Sequence, residues 1–273
     1  MIRLLNIEWL KLRRYKAFNI LMILYYVVFI AICSSGMAVL EFLKDKGAEF
    51  KGFSPTMLPV YDFPDIWQNL TYVITVLNIF PAFMIIISIT NEIQYKTLRQ
   101  NIIDGLDRMD FFLSKFNFIF AVSLANTLVL FLNGLILGLI YSYDKSPEAI
   151  FTNTEFLFGF FLNNLTFFVF AFLLSLLIKR TGIVIVLLGI YTLFAEPLAT
   201  LILANVHEFP KFFKVIVDYF PVKALNNLIP NPYGRYIFME ITDYIPLKAV
   251  AIVIGHLAIY LSLIWLLLKK RDV

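Results

Sequence analysis

Few residues in these 273 could do acid–base, nucleophilic or metal chemistry. The switchable or soft ligands are two histidines, His207 and His256, and one cysteine, Cys33. They show neither a zinc spacing of the H-E-x-x-H kind nor a Cys–His pairing. A single cysteine leaves no partner for an internal disulfide or a cysteine metal cluster. The pattern G-x-x-x-x-G-K-[ST] is missing, so ATP has no P-loop to bind on this chain. The expectation is therefore a protein that is not an enzyme, with no metal site and no cofactor of its own. Two ionisable residues, Glu196 and His256, sit within apolar runs. Burying a charge there costs several kcal/mol, so each must be neutral, paired or facing water. At ~1.5 Å per residue the two lie at similar depth, which makes a Glu196–His256 polar pair a hypothesis. Hydration of Glu196 near the surface, just before Pro197, is the alternative.

The elements that must position these residues are membrane helices. Hydrophobic residues make up 60% of the chain, charged residues 15%, and the mean hydropathy is +0.82. Soluble domains are nearer 45–50% apolar, so this is an integral membrane protein, all-α in class. Its length suits about six spans of ~20 residues. They are placed at 17–40, 69–90, 110–141, 156–178, 182–203 and 247–268, all within one transmembrane domain. The first run is too long for a cleaved signal peptide, and Cys33 is read as a membrane-core residue. Pro81 should kink the second span. In the third, Gly134-x-x-x-Gly138 allows close helix packing, more readily within the chain than across a dimer.

Residues 1–16, MIRLLNIEWLKLRRYK, form an interfacial helix. Ile2, Leu5, Trp9 and Leu12 make its apolar stripe, and Arg3, Lys11, Arg13 and Arg14 stay at the headgroups. Residues 207–246, with prolines at 210, 221, 230 and 232 among aromatics, suit short helices in or dipping into the outer interface. Orientation follows from basic residues. With both termini inside, fourteen of them fall in about 50 inner positions and nine in about 80 outer ones, as the positive-inside rule requires. The net charge of +4 thus reflects membrane borders and lipid headgroups, not nucleic acid. The expected location is the plasma (inner) membrane, both termini cytoplasmic.

The most informative polar stretch is 91–115, NEIQYKTLRQNIIDGLDRMDFFLSK, fixed to membrane at both ends. At helical spacing Tyr95, Leu98, Ile102 and Leu106 share one face, opposite Gln100, Asn101, Asp104 and Asp107. Gly105 is placed to stop that helix, and Asp107 to cap the next. The outcome is a short amphipathic helix within 91–109, lying flat on the inner surface.

Glu92, Thr97, Arg99, Gly105, Arg108 and Lys115 follow the order E…T.R…G..R……K. This resembles the loop between the second and third membrane helices of the ABC-2 type permease family. The resemblance implies that 91–109 is a coupling helix docking on a separate cytoplasmic ATP-binding subunit, which holds the ATP and Mg. It implies further an N-terminal elbow helix at 1–16 and a re-entrant or amphipathic element between spans five and six. It also implies two copies, or a homologous permease, around a path for a hydrophobic or amphipathic substrate such as a drug, antimicrobial peptide or lipid-like molecule. Glu92 and Arg99 would fix the lever's angle. The alternatives are a non-transporting scaffold, a peptide-binding immunity protein, or an ion-coupled transporter using Glu196.

Overall fold

The computed structural model describes residues 2–13, 15–47, 54, 59–97, 100, 103, 105, 107–205, 215–233 and 243–270. Among the described residues the fold is helical throughout. Helix α1 (Ile2–Arg13) precedes α2 (Lys16–Ser34) and α3 (Gly36–Asp45). Then come α4 (Ile66–Thr75) and α5 (Ile79–Gln94), joined by a 3₁₀ turn at Val76–Asn78. The longest helix, α6 (Arg108–Tyr141), is followed by α7 (Pro147–Phe151) and α8 (Glu155–Ile178). A π turn at Tyr191–Ala195 links α9 (Thr181–Ile190) to α10 (Glu196–Asn205). The chain ends with α11 (Pro221–Asn226) and α12 (Leu247–Lys270). Among the described residues five runs are long and apolar enough to cross a membrane: Ile66–Gln94, Arg108–Tyr141, Pro147–Ile178, Thr181–Ala204 and Leu247–Lys270. The bent pair Phe18–Ser34 and Gly36–Asp45 makes a sixth if counted as one span.

Each interruption of a long helix has a local cause. Pro81 and Pro197 have no N–H to give to the carbonyls of Leu77 and Leu193, four residues back. The 3₁₀ turn at Val76–Asn78 contains Leu77, and the π turn at Tyr191–Ala195 contains Leu193. In both places the helix repacks around an acceptor the proline cannot serve. The span expected at 17–40 is instead broken at Ser35 by 49°. Ser35 and Gly36 are the weak link, and Tyr61 repairs it: its hydroxyl donates to the Cys33 carbonyl and accepts from the Gly36 N–H at 2.7 Å.

α8 is the hub, packing against α4, α5, α6, α9 and α12. Its buried face is aromatic, with Phe156, Phe160, Phe168 and Phe172 fully enclosed. Gly134 and Gly138 of α6 face the rings of Trp67 and Phe63, so the spacing makes room for aromatic side chains within one chain. Trp67 is held by stacking on Phe131 at 5.5 Å and by its Nε1–H donating to the Ile150 carbonyl at 2.8 Å. The outward faces of α9, α10 and α12 are apolar and exposed, as at Val186, Phe194, Leu201 and Ile254.

Candidate functional site

Three helix ends and α1 converge where the stretch 91–115 leaves and re-enters the bundle. Glu92 lies near the end of α5, and Lys115 two turns into α6. α1 crosses both. Among its described side chains Glu8 and Leu12, one turn apart, are buried, while Trp9 and Leu10 are exposed. The helix therefore docks through a carboxylate as well as an apolar side chain; of the stripe expected from sequence, Leu12 faces inward and Trp9 does not, and the side chains of Ile2 and Leu5 lie outside those described.

That carboxylate meets Lys115. The Lys115 ammonium is fully buried, 2.6 Å from Glu8 Oε2 and 2.6 Å from Glu92 Oε1. Lys11 closes the figure from the exposed side, 3.5 Å from Glu8 Oε1 and 3.3 Å from Glu92 Oε1. Ser114 Oγ donates to Glu8 Oε1 at 3.3 Å, and the Phe111 ring lies 5.7 Å from the Lys115 ammonium. Two carboxylates and two ammoniums make a neutral set, which is the condition for burying charge at tolerable cost. Burial pushes the Glu8 carboxyl up, but the Lys115 ammonium, with Lys11 behind it, outweighs burial and holds it below the ordinary carboxylate range. Glu92 Oε2 is buried without a partner among the described residues.

Other bonds tie this centre to the remaining helices. Arg108 donates from Nη1 to the carbonyls of Leu268 at 3.1 Å and Lys269 at 2.8 Å, closing the C-terminal end of α12. Gln94 Nε2 donates to the Lys179 carbonyl at 3.0 Å, and Thr90 and Thr181 share a hydroxyl bond at 2.7 Å. The turn between α8 and α9 is thereby fixed to α5. The ends of α5, α8 and α12 and the starts of α6 and α9 are thereby joined at the roots of the stretch 91–115.

Within that stretch, Tyr95 is the exposed C-cap of α5. Lys96 has φ +57°, Thr97 Oγ1 donates to the Glu92 carbonyl at 3.1 Å, and Gln100 N–H donates to the Lys96 carbonyl at 3.1 Å. The chain thus leaves α5 through a left-handed residue and starts a new helical turn. Gly105 has φ +94°, a conformation glycine adopts without strain. Asp107 takes the N-cap position of α6 with extended backbone, though its side chain makes no capping bond. Leu98, Arg99, Ile102 and Leu106 lie outside the described residues, as do Asn101, Asp104 and His207.

Glu196 and His256 are not bonded to one another among the described residues. Glu196 Oε1 accepts the Lys223 N–H at 2.7 Å, at the start of α11. His256 Nδ1 lies 3.0 Å from the Ile252 carbonyl, one turn back on its own helix, and its ring is 5.7 Å from that of Tyr260. The π turn just before Glu196 adds a residue to the helix and re-phases it, and the carboxylate meets the short helix rather than α12. Glu8 is the residue that sequence reasoning did not assign, and Lys115, though part of the motif E…T.R…G..R……K, was given no partner. Their signals were a lone acid in a basic leader and a lone lysine inside FFLSKFNFIF.

Neither the family models nor the curated proteins match this chain.

Proposed function

We propose that this chain is the membrane subunit of an ABC-2 type exporter, driven by a separate ATP-binding subunit that carries ATP and Mg. The observation that carries the reading is the buried Lys115 shared by Glu8 and Glu92 at 2.6 Å each. It makes α1 and both roots of the stretch 91–115 one mechanical unit. Arg108 extends that unit to α12, and Gln94 extends it to the turn between α8 and α9. A push on the exposed segment is then delivered to several membrane helices together, which a coupling element requires. The basic end of the bundle faces the cytoplasm in this reading, where such a subunit would sit.

A helical element between the last two spans supports the same reading. The carbonyl of Leu225, in α11, accepts from Asn163 Nδ2 at 3.0 Å. Asn163 lies eight residues into α8, about 12 Å along its axis. Glu155, at the start of α8, accepts instead from Ile245 N–H at 3.0 Å. α11 therefore sits well inward of the bundle's end, as a re-entrant element does. Two copies in the membrane, exporting a hydrophobic or amphipathic substrate, complete the proposal.

Purification from the native membrane in mild detergent tests it. The expected result is a stoichiometric partner with a P-loop, lost when Leu98, Ile102 and Leu106 are all alanine. Full activity of the chain isolated alone overturns the reading.

A further inference from the structure

A cavity of about 780 Å³ opens toward the end of the bundle opposite the Lys115 cluster. Its size is that of a small-molecule site, ~300–1,000 Å³. Three departures from regular helix supply its walls. Val76 and Asn78 come from the 3₁₀ turn between α4 and α5, and Thr192 and Leu193 from the π turn between α9 and α10. Asp218 comes from a further 3₁₀ turn at Val217–Tyr219. Breaks of this kind in long apolar helices recur at functional sites, because backbone that leaves the regular ladder is tolerated where it lines a cavity.

Three charged residues line the cavity. Lys248 and Asp218 pair at 3.2 Å and cancel. Lys223, half-buried, has no ion-pair partner among the described residues. Glu196, buried outside the walls, accepts the Lys223 backbone N–H and not the ammonium. The cavity thus keeps one positive charge unanswered. Asn226 and Asn227 follow Lys223 at i+3 and i+4, so the three side chains share one face of α11, and all three line the cavity. An ammonium and two primary amides are donors suited to an anion, and hydrogen bonds to a charged acceptor are roughly twice as strong as neutral ones. The walls from α5, α8 and the π turn offer Ile79, Phe167 and Leu193 instead.

We propose that this cavity binds a single-chain amphiphile with an anionic headgroup, a carboxylate or a phosphate, held by Lys223, Asn226 and Asn227. The apolar chain of the ligand lies along Ile79, Phe167 and Leu193. A neutral headgroup of the same size leaves the ammonium unanswered, and a cationic one is repelled by it. This site does not depend on the exporter reading, since neither ATP nor a partner chain enters it.

With the purified chain in a non-ionic detergent at mildly alkaline pH, a diazirine-bearing decanoate is expected to label Ile79, Phe167 or Leu193. Excess decanoate or decyl phosphate should lower that labelling about tenfold, whereas decanamide and decyltrimethylammonium should not. The stronger of the two anionic competitors names the headgroup. Lys223→Gln keeps the backbone N–H that Glu196 accepts, and it is expected to weaken anionic competition about tenfold. Lys145→Gln, at an exposed lysine outside the cavity, should leave it unchanged. Should Lys223→Gln not fold, the competition pattern on the native chain decides alone. Equal competition by decanamide, labelling only outside the cavity, or undiminished anionic competition in Lys223→Gln overturns the proposal.

Discussion

Glu8 and Lys115 meet at 2.6 Å across 107 positions of sequence, with the lysine fully enclosed. A buried ion pair is weak support for stability in itself, but removing one partner is costly because it strands the other. Here Lys115 answers two carboxylates. Lys115→Met should therefore lower stability by about 3–5 kcal/mol. Glu8→Gln combined with Lys115→Met should cost less than the sum of the two single changes, because the second change removes a charge the first has stranded. Thermal unfolding in detergent over the four variants of this cycle measures the coupling directly. Additive losses would mean the contact is not formed.

The same pair sets a pH dependence. The folded-state pKa of Glu8 is lowered, so its contribution is present above the unfolded value and fades as pH falls through the folded one. α1 should stay docked through neutral and mildly acidic pH and loosen below the ordinary carboxylate range. Trp9 is exposed on this helix, and its emission reports the change. Glu8→Gln should flatten the low-pH step. An unchanged step would assign it to another group.

Gly134 offers a packing test. A Cβ there would come within 2.8 Å of Trp67, whose ring cannot retreat from its Phe131 stack and its bond to Ile150. Gly134→Ala should cost about 1–3 kcal/mol through overpacking. A Cβ added at Gly189 would meet nothing within 4 Å, so Gly189→Ala should be neutral or gain up to about 1 kcal/mol. Thermal transitions of the two variants should move in different directions. Equal shifts would remove the argument for Gly134.

The apolar helices and the polar stretch at 91–115 were legible because hydropathy is a local property. The partners of the charged residues were not. Glu8 looks like one acid in a basic leader, and Lys115 like a lysine snorkelling from an apolar helix. Only the crossing of α1 over α5 and α6 joins them, and no periodicity encodes a contact 107 residues apart. The break at Ser35 was signalled by a Ser–Gly pair yet hidden by continuous hydropathy on both sides. Glu196 was found as an acid within an apolar run, but its direction depends on a π turn over YTLFA, whose composition is that of any apolar helix.

Tyr61 spans the Ser35 break by donating to Cys33 and accepting from Gly36. Tyr61→Phe leaves the Gly36 N–H and the Cys33 carbonyl without that hydroxyl. The expected loss is about 1–3 kcal/mol. Amide exchange should quicken at residues 33–37 and stay unchanged in α8. Uniform quickening would point to global destabilisation instead.

Glu196 does for α11 what an N-cap side chain does for an ordinary helix. Phe220, at the N-cap position, has no acceptor to offer, and the Lys223 N–H is served by Glu196 Oε1 from another helix at 2.7 Å. Loss of a cap costs about 0.5–2 kcal/mol, confined to the helix it caps. Glu196→Leu should therefore raise amide exchange across 221–226, whereas Glu196→Gln keeps an acceptor and should change it little. His256→Ala should leave 221–226 alone, since His256 bonds its own helix. Within the transport reading proposed above, the same variants bear on ion coupling. A proton carrier requires a titrating carboxyl, so Glu196→Gln would stop transport as fully as Glu196→Leu. A cap requires only an oxygen, so Glu196→Gln would keep most of the transport that Glu196→Leu loses.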